Sequence, residues 1–256
     1  MGFFTRIKEG VSRLKQGLWG LAEGATKVVE KVAVLAGWQE TAERCKRGVE
    51  ICEEHRNKWK DRGDYYQHER MVGKLEKPKN YHPDEKMREN ENNCITGMEN
   101  LLQGKKLDDV LRNQTAQERL NFIEKVQEVA SASLGIETKP VVYESSYNDT
   151  TMGYYSRGDN SIHLNEAFVT SDNIYFVKEQ IFTIYHESMH ALQWKAVENL
   201  QRGGNGLGYS TKTLREWTNN FEHYLDISID AEGYFNQPLE RDAFGLEWRM
   251  KDFFNN

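Results

Sequence analysis

The pentapeptide His186-Glu187-Ser188-Met189-His190 constrains this chain more than any other stretch of it. At positions i and i+4 of a helix, two imidazoles project from one face and can share one zinc ion. Between them, Glu187 is placed to take a proton from a water activated by that metal, the arrangement of metal-assisted hydrolysis. The spacing has this meaning only on a helix, and the flanking residues supply one. Ile174, Val177, Ile181, Ile184, Met189 and Leu192 recur three and four residues apart, which predicts an amphipathic helix buried along one side. Ser171, Asp172 and Asn173 offer N-caps, and Gly203-Gly204-Asn205-Gly206 ends the run. The bland alternative, two surface histidines beside an ordinary exposed glutamate, leaves that stripe without a purpose.

Catalytic zinc keeps three protein ligands and one open position, so two histidines leave the site one ligand short. No third histidine follows at short spacing, since the chain continues Ala191-Leu192-Gln193-Trp194. The best candidate lies farther on, in Tyr234-Phe235-Asn236-Gln237-Pro238-Leu239-Glu240-Arg241-Asp242-Ala243-Phe244. Pro238 reads as the first residue of a new helix with Glu240 in its first turn. Leu239, Ala243, Leu246 and Met250 give that helix an apolar face. A glutamate there also has an ordinary use as a cap or dipole partner. On spacing alone Asp242, Glu232, His223 and His163 remain alternatives to Glu240.

The two stretches together, His-Glu-x-x-His and then Tyr-x-x-x-Pro-x-Glu-x-Asp-Ala-Phe, resemble the gluzincin group of zinc metallopeptidases. The resemblance is to the minimal domains of that kind in bacterial toxins, effectors and phage-derived genes, and it runs from about Thr115 to the C-terminus. It implies a compact zincin-like domain in which His186, His190 and Glu240 hold Zn2+ and Glu187 is the general base. The chain departs from the thermolysin-like version, whose glutamate follows sooner in Glu-x-x-x-Asp. That departure leaves the oxyanion donor open, with Tyr234, His223 and Tyr224 as candidates and Tyr234 the one chosen.

The segment before the pentapeptide fits the same architecture. Thr115 and Glu118 have the spacing of a capping box opening an amphipathic helix. Residues 139–144 read as a strand. Residues 153–155 and 162–165 read as a hairpin around Ser156-Arg157-Gly158-Asp159-Asn160, with His163 on the polar face. Residues 200–212 form a Gly-rich connector without phosphate-loop spacing, and a helix marked by Leu214, Trp217, Phe221 and Tyr224 follows, its aromatics assigned to the core.

The N-terminal half differs in character. Residues 1–37 form a basic amphipathic helix suited to a membrane surface or a partner groove. A highly charged helix covers 38–60, and 61–93 reads as polar and partly extended around Pro78 and Pro83. No window approaches the roughly 20 apolar residues of a bilayer span, and no cleavable secretory signal is expected. No heptad is read as sustained long enough for a coiled coil. Three cysteines without a C-x-x-C spacing point to a reducing compartment, hence a cytoplasmic protein or one exported without a cleavable signal. Net charge falls from +4 over residues 1–60 through −2 over 61–140 to −8 over 141–256. An acidic catalytic half disfavours nucleic acid and favours a peptide or protein substrate, basic ones above all. The expectation is an α+β protein: a helical region 1–105 with a basic arm, and a gluzincin-like metallopeptidase domain 106–256. The alternatives are a catalytically idle binding scaffold on the same fold, or an effector targeted by its N-terminal helix. Oligomeric state is left open.

Overall fold

The computed structural model describes residues 2–36, 38–72, 76–145 and 151–255, and the chain divides into two compact units, Met1–Lys74 and Leu75–Asn256. The first unit consists of two long helices, α1 (Gly2–Leu35) and α2 (Gln39–Val72). Successive ion pairs, Arg13–Asp64, Glu23–Arg56 and Lys27–Glu53, run in opposite directions along the two, so the hairpin is antiparallel. The expected end of the charged helix near residue 60 is corrected: α2 continues to Val72, rich in Lys, Glu and Arg and free of proline. As expected, the stretch around Pro78 and Pro83 is non-helical.

The second unit is mostly helical with one three-stranded sheet, an α+β composition. It opens with α3 (Glu85–Leu102), capped by Asp84, then a short α4 (Leu107–Arg112) and α5 (Ala116–Leu134). Thr115 and Glu118 make the expected capping box at the start of α5. Strand β1 (Val141–Glu144) pairs in parallel with β3 (Ser161–Asn165), and β2 (Gly153–Ser156) pairs antiparallel with β3, giving the order β1-β3-β2. The expected hairpin is therefore present, with β2 on a free edge.

A single turn, α6 (Glu166–Val169), leads to α7 (Ile174–Gln201), started by Asn173, whose side chain accepts the Tyr175 N–H. After the glycine-rich connector come α8 (Thr211–Glu222), α9 (Ala231–Asn236) and α10 (Pro238–Asn255). Helix α7 is the axis of the unit. The sheet, α5 and α10 all pack on it. Expected to be buried along one side, it is buried all round its middle, Lys178, Glu179, Gln180 and Thr183 included. The polar members survive there because they are paired: Lys178 with Asp108 at 2.8 Å, Thr183 Oγ1 with the Glu179 carbonyl, and Glu179 with Lys251.

The domain boundary also moves from the expected 105/106 to 74/75, because α3 packs on α5 and α10. Tyr81, in the stretch before α3, is part of the same core: its hydroxyl donates to the Glu91 carboxylate and its ring lies against Gly245 of α10. A Cβ at residue 245 would stand 2.1 Å from that ring. Gly245→Ala is therefore expected to destabilise the protein by about 1–3 kcal/mol through overpacking, although alanine is the better helix former by about 1 kcal/mol. A thermal melt checks the sign; a raised melting temperature would place Tyr81 elsewhere.

Candidate metal centre

His186 and His190 stand one turn apart on α7, where the backbone fixes their separation. Glu240 is the third residue of α10, and the start of that helix is set by α8. Asn220 Oδ1 accepts the otherwise unpaired Leu239 N–H at 2.9 Å, and Asn220 Nδ2 donates to Gln237 Oε1 at 2.9 Å. Gln237 in turn holds the backbone N–H and carbonyl of Leu225. Glu240 is 1% exposed and reaches α7 from this anchored end.

Three side chains meet as a result. The Nε2 atoms of His186 and His190 are 3.1 Å apart, Glu240 Oε2 is 3.3 Å from the first and Oε1 is 3.3 Å from the second. Ligands held about 2.0–2.2 Å from a tetrahedral zinc are separated by about 3.3–3.6 Å, close to the spacing of these three groups. Glu240 Oε2 is buried and accepts no hydrogen bond, an orphaned lone pair aimed at the same point. Among the described residues this is the one cluster of three such groups close enough to share an ion.

The far side of each ring is occupied. His186 Nδ1 lies 3.0 Å from Glu247 Oε2, and His190 Nδ1 lies 2.9 Å from Gln193 Oε1, whose amide nitrogen donates to the Leu239 carbonyl. With an N–H on each Nδ1, both Nε2 lone pairs face the cluster. Lys251 completes the outer layer, 3.0 Å from Glu247 and 2.5 Å from Glu179 of α7.

Burial disfavours a charged His186, yet Glu240, Glu247 and Glu187 outweigh it and lift its pKa well above the usual value. His190 is raised in the same sense, burial being overcome by Glu240. Burial would also raise the Glu247 carboxyl, but Lys251 and His186 pull it down to about 2. The pocket thus carries a negative potential that favours a cation at its centre.

Glu187 stands beside the cluster, its Oε2 accepting the Tyr155 N–H of strand β2 at 2.8 Å. Together with the imidazoles it lines an open cleft of about 380 Å³, whose walls include Tyr154, Arg157, Phe221, Tyr224 and Tyr234. Tyr224 donates to Glu240 Oε1 at 2.5 Å, and the Tyr234 hydroxyl is in reach of both Tyr224 and Glu240. Burial and the Glu240 charge raise both phenols, so each is held as a neutral donor. Arg157 is the one Lys or Arg on this lining, its guanidinium 4.3 Å over the Trp194 ring.

Other sequence candidates lie elsewhere. Asp242 accepts from Trp217 Nε1 and from Arg241, both at 2.8 Å, a structural network on the opposite side of α10. His223 and Glu232 are exposed. His163, expected on the polar face of its strand, is 8% exposed, stacked on Tyr154 and bonded to Glu144 and Ser161. Of the aromatics assigned to the core, Trp217 is fully buried and Phe221 packs partly buried against the core while also lining the cleft; Tyr224, just past the end of α8, lines the cleft instead. Glu247 and Gln193 were not picked out from sequence. A signal existed for both: Glu247 follows Glu240 by two helical turns and Gln193 follows His190 by one, each on the same face.

Comparison of the chain with protein-family models, with curated proteins and with solved structures finds no match.

Because Glu247 orients His186 rather than joining the cluster, Glu247→Gln is expected to leave the helical content unchanged. It should weaken binding of added zinc about 10–100-fold. Competition against a chromophoric chelator reads the affinity, and wild-type affinity in the variant would remove Glu247 from any role at the site.

Proposed function

We propose that this chain is a zinc-dependent metallopeptidase of gluzincin type, with Zn2+ held by His186, His190 and Glu240 and a peptide or protein as substrate. The observation that carries the reading is the meeting of those three side chains at one point, with Glu187 beside them on an open cleft. Zinc bound there supplies Lewis acidity, polarising a carbonyl and lowering the pKa of a water in the cleft.

The chain's own residues do the rest. Glu187 keeps Oε2 on the Tyr155 amide, which fixes its carboxylate plane and leaves Oε1 to take the proton of the attacking water. The same carboxyl then delivers that proton to the leaving amine nitrogen. Tyr234 is the donor for the oxyanion: a neutral phenol on the cleft wall whose neighbour Tyr224 is engaged with Glu240. Strand β2 is an edge of the sheet along the same cleft, and beside the Tyr155 N–H held by Glu187 its other outward backbone groups would receive an extended peptide as a further strand.

Two sets of variants test this. Glu187→Gln should keep one zinc per chain and the wild-type melting temperature while cutting hydrolysis of a degenerate peptide library about 10²–10⁴-fold. Equal cleavage by the variant would reject Glu187 as base, and no cleavage by zinc-loaded wild type would reject the peptidase.

The second set separates the neighbouring carboxylates of α10. Glu240→Ala should lose zinc on gel filtration. Asp242→Asn should retain it and instead lose about 1–3 kcal/mol of stability from the broken Trp217 and Arg241 bonds. Zinc loss in Asp242→Asn with retention in Glu240→Ala would reverse the assignment.

A further inference from the structure

The face that α1 turns to α2 is mainly polar, while Ala33 of α1 and Val49 and Cys52 of α2 are also buried. Ser12 and Glu23 are buried between the helices, and Glu23 is tied to Lys27 and Arg56. The apolar side of α1 faces outward. Leu14, Leu18 and Leu21 are 66%, 57% and 74% exposed, and Val28, Val32 and Leu35 are 61%, 53% and 88% exposed.

With Val11 and Ala25, these residues alternate strictly three and four apart from 11 to 35. In the sequence the same alternation runs back to Ile7 and Phe4, whose side chains lie outside the described residues. The expectation that no heptad is sustained is therefore corrected. The repeat was obscured by its flanks, which carry glycine at every seventh position, Gly10, Gly17 and Gly24, where a coiled coil usually has charges.

We propose that this seam is covered by the α1 seam of a second copy of the chain, in a symmetric antiparallel pair. Three features favour a helix over a lipid surface. A period of 3.5 keeps one stripe facing a supercoiled partner, whereas lipid makes no demand on register. Gly10, Gly17 and Gly24 have open space where a Cβ would stand, which lets another backbone approach closely. The third feature is self-complementarity about a dyad midway between Leu18 and Leu21, the closed two-fold arrangement of most homodimers. Leu18 of one copy then meets Leu21 of the other, Val11 meets Val28, and Leu14 fills the space beside Ala25. On the flanks Lys8 meets Val29, Lys15 meets Ala22 and Lys31 meets Gly10, so no two lysines oppose one another.

The size is adequate too. Five exposed side chains on each copy that meet described partners, Val11, Leu14, Leu18, Leu21 and Val28, hide on the order of 100 Å² each, or about 1,000 Å² in all, the size at which interfaces become specific.

Sedimentation equilibrium of the full chain up to about 0.1 mM is expected to show a dimer. Leu18→Asp combined with Leu21→Asp places four carboxylates at the dyad and should give a monomer of unchanged helical content. Gly17→Lys adds a side chain into open space, so the hairpin folds, and it should weaken the dimer at least about tenfold. A wild-type chain that stays monomeric throughout overturns the proposal, as does a dimer unaffected by both variants. A monomer that floats with phosphatidylserine vesicles would give the seam to lipid instead.

Discussion

The second unit depends on the packing of α10 along α7. That contact gathers four carboxylates, Glu179, Glu187, Glu240 and Glu247, around one ammonium, Lys251, and two imidazoles. With the imidazoles neutral, the carboxylates outnumber the one ammonium, and each carboxylate residue is less than a tenth exposed. Burying unpaired charge is costly, and a protein relieves it by protonation or by a metal. The raised histidine pKa values express the first route, and the unpartnered Glu240 Oε2 beside the two imidazoles leaves room for the second. A proton relieves the charge less completely. Two protonated Nε2 atoms 3.1 Å apart would repel, whereas one dication satisfies both lone pairs and the carboxylate together.

Much of this centre was legible from short-range pattern. An i, i+4 pair fixes its own geometry once it sits on a helix, and Pro238 marks the start that presents Glu240. The hairpin and the capping box were legible for the same reason, since each is decided within a few residues. What pattern could not reach was decided by partners remote in sequence. Whether Glu247 meets His186 or solvent depends on how α10 crosses α7, and that is fixed in part by Asn220 and Gln237. Lys178 and Glu179 look like solvent-facing residues until Asp108 and Lys251 arrive to pair them. The domain boundary failed likewise: the polar face of α3 concealed Cys94, Met98 and Leu102, which lie in the core of the second unit.

Exposed apolar surface and buried charge are mirror images in this chain. In the second unit the anomaly is charge in the interior, relieved by pairing and aimed at a common centre. In the first unit it is a leucine and valine stripe facing outward while glutamate, arginine and lysine hold the inside. The ion pairs between α1 and α2 are mostly half-exposed, where solvent screens them and each contributes little. Two 34-residue helices joined by such bonds bury little apolar area between them. Covering the outer seam, as proposed, would bury more apolar area than the contact between the two helices does.

The position of strand β2 ties recognition to chemistry within the cleft. Its Tyr155 amide is spent on Glu187 rather than on the ladder to β3, so the edge that would receive a peptide is also the edge that orients the proposed base. A displacement of β2 would therefore move substrate and carboxylate together. The strand is held from behind by Gly153, where a Cβ would come within 2.4 Å of the His163 carbonyl, and by the Tyr154 ring stacked on His163. His163, bonded to Glu144 on the far strand and to Ser161 on its own, locks β1, β2 and β3 into one piece. This histidine lies outside the metal cluster and acts through position. It keeps the edge strand, and through Tyr155 the Glu187 carboxylate, fixed relative to the paired imidazoles of α7.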